Sequence, residues 1–179
     1  MEKEQEKPKK KEKSQLRELI ETVLSSVVIA AFLITFVVQA FYIPSGSMIP
    51  TLMPGDRVLV NKFIYRFTEP KRGDIMVFRF PLDPKRHFIK RVIAVGDETV
   101  ELKKGRLYID GMLVEQPYLP ELYDNDFGPY TVPAEEFFCL GDNRNNSEDS
   151  RYWGCVPRKN VIGRAFVRYW PLNHLGMLK

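Results

Sequence analysis

Three serines and one lysine are the side chains of this chain best arranged for nucleophilic chemistry. Pro44-Ser45-Gly46-Ser47-Met48-Ile49-Pro50 sets two hydroxyls around a glycine, with a proline on either side. Such a segment has little conformational freedom, and its glycine lets another chain approach closely. It can present one hydroxyl to a peptide backbone. The same residue types also make an ordinary linker, and composition leaves both readings open.

The lysine is Lys90, in Phe88-Ile89-Lys90-Arg91-Val92-Ile93-Ala94-Val95. Side chains alternate between faces along a strand, so Lys90 shares a face with Phe88, Val92 and Ala94, and Arg91 points the other way. A free lysine has a pKa of ~10.4, so only on the order of one molecule in a thousand is neutral near pH 7. A general base must be neutral close to the working pH. Burial among apolar groups can lower the pKa by roughly 2 units and make such a base. A lysine whose stem packs on an apolar row while its ammonium reaches water gives the same pattern, and the alternation does not choose between them.

The third serine, Ser147, lies in the polar run Gly141 to Arg151, between the apolar segments Phe137-Phe138-Cys139-Leu140 and Tyr152-Trp153-Gly154. A polar loop clamped this way is expected to be ordered. Asp149 and Arg151 are spaced to pair, and Ser147 can reach a lysine amine. A Ser-His-Asp triad is poorly supported. The two histidines are His87, beside the charged turn Asp83-Pro84-Lys85-Arg86, and His174, after Trp170, and both read as surface residues. Two histidines and two cysteines leave little room for a metal centre. Cys139 and Cys155 flank the polar loop. Their spacing allows a disulfide across its base or two buried thiols acting as small apolar residues, and both stay open.

These groups need a rigid frame. The chain has 179 residues, 44% hydrophobic and 28% charged, with a formal net charge of +4. That excess is too small to argue for nucleic-acid binding without a clustered basic face. The candidate strands are Arg57–Phe63, Asp74–Phe80, His87–Val95, Thr99–Lys103, Arg106–Ile109, Met112–Val114, Phe137–Leu140 and Val161–Trp170. Asp110-Gly111 is a strong two-residue hairpin signal, and Lys103-Lys104-Gly105 suggests a second hairpin. Short strands at this spacing predict a mainly β fold, an antiparallel barrel or sandwich. Glu115–Pro133, with four prolines, reads as a long loop.

Charge is segregated ahead of this frame. The first 21 residues carry seven basic and six acidic side chains, and no charged residue or histidine then occurs from Thr22 to Gly55. The almost continuously apolar stretch Val23 to Ile43 is long enough for a membrane-spanning helix, which needs about 20 residues. It lacks the small-residue cleavage site of a secretory signal. The proline at position 44 is expected to end the helix. The basic residues ahead of it place the N-terminus in the cytoplasm by the positive-inside rule. The expected organisation is a charged cytoplasmic tail over 1–18, a transmembrane helix over 19–42 and an extracytoplasmic β-rich domain over 43–179, in a single-pass protein of the cell membrane. Ser47 then lies within about 18 Å of chain from the membrane end.

PSGSMIPTL, RGDIMVF, FIKRVIAVGD and GDNRNNSEDSRYWG, in this order, resemble the boxes of bacterial type I signal peptidases, the leader peptidases, over residues 15 to 170 or so. The short intervening loops resemble the compact, single-anchor members. The resemblance implies a signal-peptidase fold of the kind shared with SOS-repressor-type regulators. It implies Ser47 as nucleophile, Lys90 as general base, and an oxyanion hole from the Ser45 hydroxyl and the Ser47 amide. It implies Ser147 as the residue that orients the lysine, and Asp149 with Arg151 as a structural ion pair. Ile43, Pro44, Leu52, Phe88 and Ile89 fall where the family lines its small substrate pockets. No cofactor or metal is implied. The expected partners are the signal peptides of secreted preproteins, cut after small residues at −1 and −3, the lipid bilayer and the neighbourhood of the secretion translocon, with no nucleic acid. A non-catalytic receptor domain would not need both Ser47 and Lys90. A self-cleaving repressor would carry a DNA-binding domain, and a sortase-like transpeptidase would need a histidine partner for a cysteine.

Overall fold

The computed structural model describes residues 15–32, 37–119 and 123–178. It begins with helix α1 (Gln15–Phe32), none of whose residues is buried. Among the described residues, strands follow as β1 (Val38–Tyr42), β2 (Arg57–Asn61), β3 (Ile75–Phe80), β4 (Asp83–Val95), β5 (Thr99–Lys103), β6 (Arg106–Ile109), β7 (Met112–Val114), β8 (Phe127–Thr131), β9 (Glu136–Leu140), β10 (Val156–Pro157), β11 (Val161–Trp170) and β12 (Gly176–Met177). One turn of helix, α2 (Ser150–Trp153), precedes β10.

The strands form two antiparallel sheets. The larger runs β1-β2-β11-β3-β4-β9-β10, with β12 also on β11, and the smaller runs β7-β6-β5-β8. Neither ladder closes on itself, so the architecture is two open sheets and not the closed barrel that was one of the two expected forms. Hairpin chemistry is as the sequence predicts. Asp110 and Gly111 both take positive φ, 50° and 78°, and join β6 to β7, while Lys104 and Gly105 do the same between β5 and β6. A two-residue turn of this hand matches the twist of the strands it connects.

Period-two burial sorts the large sheet onto its cores. On β3, Ile75 and Val77 enter a cluster with Ile43, Met48, Leu52, Val58 and Val60, while Met76 and Phe78 face a second cluster with Val92, Phe137 and Cys139. On β9, Phe138 and Leu140 turn the other way, into a third cluster with Val100, Leu102, Leu107, Ile109 and Cys155. Cys139 and Cys155 therefore belong to different cores, and both are free and buried. The disulfide that the spacing allowed is not formed.

Two expectations need correction. The helix expected over 19–42 does not run to Tyr42, because Val38–Tyr42 is a strand paired with Arg57–Asn61. Pro44 thus follows a strand, not a helix. Among the described residues no helix is long and apolar enough to cross a membrane. The start of the charged tail, residues 1–14, lies outside the described residues. The second correction concerns the loop expected over Glu115–Pro133, which contains β8, paired with β5.

Among the described residues, part of one sheet face is exposed. Tyr42 and Trp170 both lie opposite Arg57, and Ala40 and Val167 both lie opposite Leu59, with Met177 beyond Val167. Tyr42, Trp170 and Met177 are exposed, as are Leu172 and Leu175 in the last connection.

Candidate active site

Ser47 sits in the connection between β1 and β2. Three features fix that loop. Met48 and Leu52 are fully buried in the first core. The Leu52 amide donates to the Met48 carbonyl at 2.9 Å. The loop's far end is closed by the buried Asp56, whose carboxylate accepts from the Met53 amide and Arg168. The Ser47 side chain is then held at the surface of the core, 8% exposed.

Lys90 comes from the middle of β4, opposite Met76 on β3. Only 4% of it is exposed. Its Nζ lies 2.6 Å from Ser47 Oγ and donates to it. Ser45 Oγ is 3.4 Å from the same hydroxyl. Burial pushes the Lys90 amine down from 10.5 to about 8, while the carboxylates of Asp149, Glu148 and Asp142 pull it partly back. Desolvation dominates because the charged form gives up water without gaining an adjacent carboxylate.

The polar run 141–151 is folded tightly against this pair. Asp149 and Arg151 form a two-pronged ion pair, with Nε–Oδ1 and Nη2–Oδ2 both at 2.8 Å, and both side chains are buried. Asp149 also accepts from the Gly141 amide and caps α2 through the Arg151 amide. Tyr123 stacks on the Arg151 guanidinium at 4.1 Å. The Asn143 amide donates to the Ser47 carbonyl and its side chain to the Gly46 carbonyl, both at 3.1 Å. Gly141 lets these segments touch. A Cβ there would run into Ser147 Oγ and the Ser47 carbonyl oxygen.

Spacing did not single out Asp142 and Asn143, or the pairing of Arg91. Arg91 points away from Lys90, as alternation requires, and grips the fully buried Asp142 by Nε–Oδ1 at 2.9 Å and Nη2–Oδ2 at 2.7 Å. Thr51 donates to the same carboxylate. The pair ties β4, the Ser47 loop and the polar run together. An arginine beside a candidate base and an acid directly after a glycine were the available signals, but the partner lies 51 residues away.

Ser147 is beside the site with its Oγ buried and without a hydrogen-bond partner. The bond to Lys90 that the resemblance implied is not made here. A cleft of about 660 Å3 opens over the pair, lined by Pro44, Ser45, Ser47, Phe88, Ile89 and Lys90 among others. A small pocket of about 40 Å3 adjoins it, lined by Phe41, Ile43, Pro44, Val77, Phe88 and Ile89 among others. Leu52 is placed differently from its expected pocket role. It is fully buried in the core under the Ser47 loop and lines neither hollow. His87 is exposed and stacks edge-on against Phe41 at 5.8 Å. Exposed His174 lies 3.8 Å from Asp56. Among the described residues no three His, Cys, Asp or Glu side chains gather as metal ligands.

The family described as "Signal peptidase, peptidase S26" matches residues 16–170. The chain belongs to this family. It is 50% identical over 173 residues to signal peptidase I of Leptolyngbya laminosa, an alignment covering 92% of this chain and 85% of that one. It is 37% identical to signal peptidase I of Pseudomonas aeruginosa, covering 76% and 67%. Among solved structures, a signal peptidase I from Enterococcus faecalis aligns with a TM-score of 0.50 and 36% identity, covering 54% of this chain and 97% of that chain. As a signal peptidase, the chain is a hydrolase that removes signal peptides from preproteins.

Proposed function

We propose that Ser47 and Lys90 form the catalytic dyad of this signal peptidase. The observation that carries this reading is the buried 2.6 Å contact between Lys90 Nζ and Ser47 Oγ at the floor of an open cleft. When Lys90 is neutral, the hydroxyl donates to its lone pair. Ser47 Oγ then attacks the carbonyl carbon of the scissile peptide while its proton passes to Nζ. In this reading the tetrahedral oxyanion is held by the Ser45 hydroxyl, 3.4 Å from Ser47 Oγ, and the Ser47 amide, the kind of donors that stabilise developing negative charge. The Lys90 ammonium returns the proton to the leaving amine, which departs and leaves an ester on Ser47. Water attacks that ester with Lys90 again as base, releasing the acid and restoring the serine.

Ser147 acts from beside the base. Its free hydroxyl supplies a contact for Lys90 Nζ as the amine changes between one and two partners during the cycle. Asp149 and Arg151 hold the loop that presents it. Substrate lies extended, its −3 side chain in the small pocket and its −1 side chain at Ser47. A hollow of about 40 Å3 suits a side chain the size of a methyl group, which supports cleavage after small residues.

The same reading holds the enzyme at a membrane near the point of export. The apolar residues of α1 are uncovered along its length, Leu19, Val23, Val27 and Phe32 among them. The charge-free run that starts at Thr22 continues through the start of the β domain. Exposed Tyr42, Trp170 and Met177, with exposed Arg57 between the two aromatics, provide a second surface whose aromatics are of the type enriched at lipid–water interfaces. By the positive-inside rule the N-terminus is cytoplasmic and the cleft extracytoplasmic.

The test is cleavage of a preprotein by the detergent-solubilised full chain. Ser47→Ala and Lys90→Ala are each expected to lose at least about 1,000-fold in rate, the scale on which removal of a nucleophile or its base acts. Their circular dichroism should match that of the unsubstituted chain. Near-normal turnover by either variant overturns the dyad.

A further inference from the structure

His87 lines three adjoining hollows: the cleft over Ser47, the small pocket at Phe41 and Ile43, and a third of about 530 Å3 beyond them. The third is strongly basic. Lys62, Arg66, Arg79 and Arg158 line it together with His87 and Gln39, and among the described residues no Asp or Glu does. Glu69 reaches Arg158 from the rim at 3.3 Å, with 76% of its side chain exposed. Two of the cations are held in place: Arg158 donates to the Tyr65 carbonyl, and Arg66 lies over the Phe63 ring at 5.4 Å. Like charges gathered in a concavity raise the local concentration of anions.

The three hollows are met in order along the chain. Ser47 and Pro44 wall the first, Ile43 to Phe41 the second, and Gln39 the third. An extended peptide alongside β1 advances by about the same 3.3 Å per residue as the strand itself. Gln39 lies two to four residues from Phe41–Ile43. A substrate with its −3 side chain in the small pocket therefore carries residues −5 to −7 past the basic hollow. We propose that this hollow is a distal substrate subsite that takes an acidic side chain at −5 to −7 of the signal peptide. The proposal rests on the Ser47–Lys90 reading of the cleft and extends it away from the cut.

The experiment uses one cleavable peptide, with Asp, Asn or Lys placed in turn at −5, −6 and −7, and the detergent-solubilised full chain. At one or more of these positions kcat/KM should fall in the order Asp, Asn, Lys. The Asp-to-Lys ratio should be roughly tenfold at low salt, the scale of a few partly exposed charge pairs, and should shrink in about 0.5 M salt. The difference should sit in KM, because the contact lies remote from the reacting atoms. Arg66→Gln and Arg79→Gln should each lower the ratio, and Arg79→Glu should reverse it. Equal rates for all peptides, with the Asn peptide still cleaved, overturn the subsite and leave the dyad standing. Undiminished cleavage of the Asn peptide by Ser47→Ala overturns the dyad and the subsite with it. An unchanged ratio in Arg79→Glu, together with weaker sedimentation with phosphatidylglycerol vesicles, assigns the hollow to lipid phosphate and also overturns the proposal.

Discussion

Ser147 Oγ makes no hydrogen bond to another residue, so removing it breaks no bond of the resting fold and leaves no protein partner unsatisfied. A residue maintained for stability alone would not leave that group idle. Ser147→Ala should therefore leave the folded state as stable as before or up to about 1 kcal/mol more stable. It should also lower kcat by roughly tenfold or more with little change in KM, as expected for loss of a group that aims the base. Urea unfolding and steady-state kinetics separate the two effects. A fall in stability with kcat preserved would make Ser147 a packing residue. The sequence placed Ser147 within reach of a lysine, and the fold does bring it beside the site. Which contact its hydroxyl makes depends on a rotamer, and spacing carries no information about that.

At the scale of elements, the site is a junction of β4, the loop between β1 and β2, and the polar run before α2. Arg91, Asp142 and Thr51 are its main polar tie. Removing one partner of a buried pair leaves a charge without compensation and costs roughly 3–5 kcal/mol. Asp142→Ala and Arg91→Ala should each destabilise by that amount, and the double variant by clearly less than the sum, because the pair is lost only once. Chemical denaturation of the three variants checks this, and strict additivity would contradict it. Most strands were legible because their apolar residues alternate between charged turns: β5, β6, β7 and β11 occur with the bounds their patterns suggest. β1 was not, because Val38–Tyr42 continues an apolar run that reads equally well as helix. β8 was hidden by Gly128 and Pro129, residues that usually break strands. β10 and β12 are two residues each, too short for any period to show.

For the whole molecule, the proposed membrane association rests on the exposed apolar side chains of α1 and on exposed Tyr42, Trp170 and Met177, since large exposed apolar surface marks interaction sites. The full chain expressed in cells should remain with membranes after alkaline carbonate extraction. A chain lacking residues 2–36 should be released by carbonate yet still bind vesicles weakly through the sheet face. Release of the full chain by carbonate would contradict the anchor. The charge segregation behind this reading was plain in the sequence. The sheet face was not, because Tyr42 and Trp170 lie 128 positions apart and meet only through their common partner Arg57.

The claim that Lys90 is the base acting on Ser47 is tested most directly by the pH dependence of kcat/KM, which reports the ionisation of the free enzyme. Burial lowers the amine to about 8. The active neutral form is therefore absent well below that pH and fills in as the proton leaves. kcat/KM should rise roughly tenfold per pH unit between about pH 6 and 7.5 and level off above a midpoint near 8. A midpoint near 10.5, the value of an ordinary lysine, or one near 6.5, that of a histidine, would contradict it.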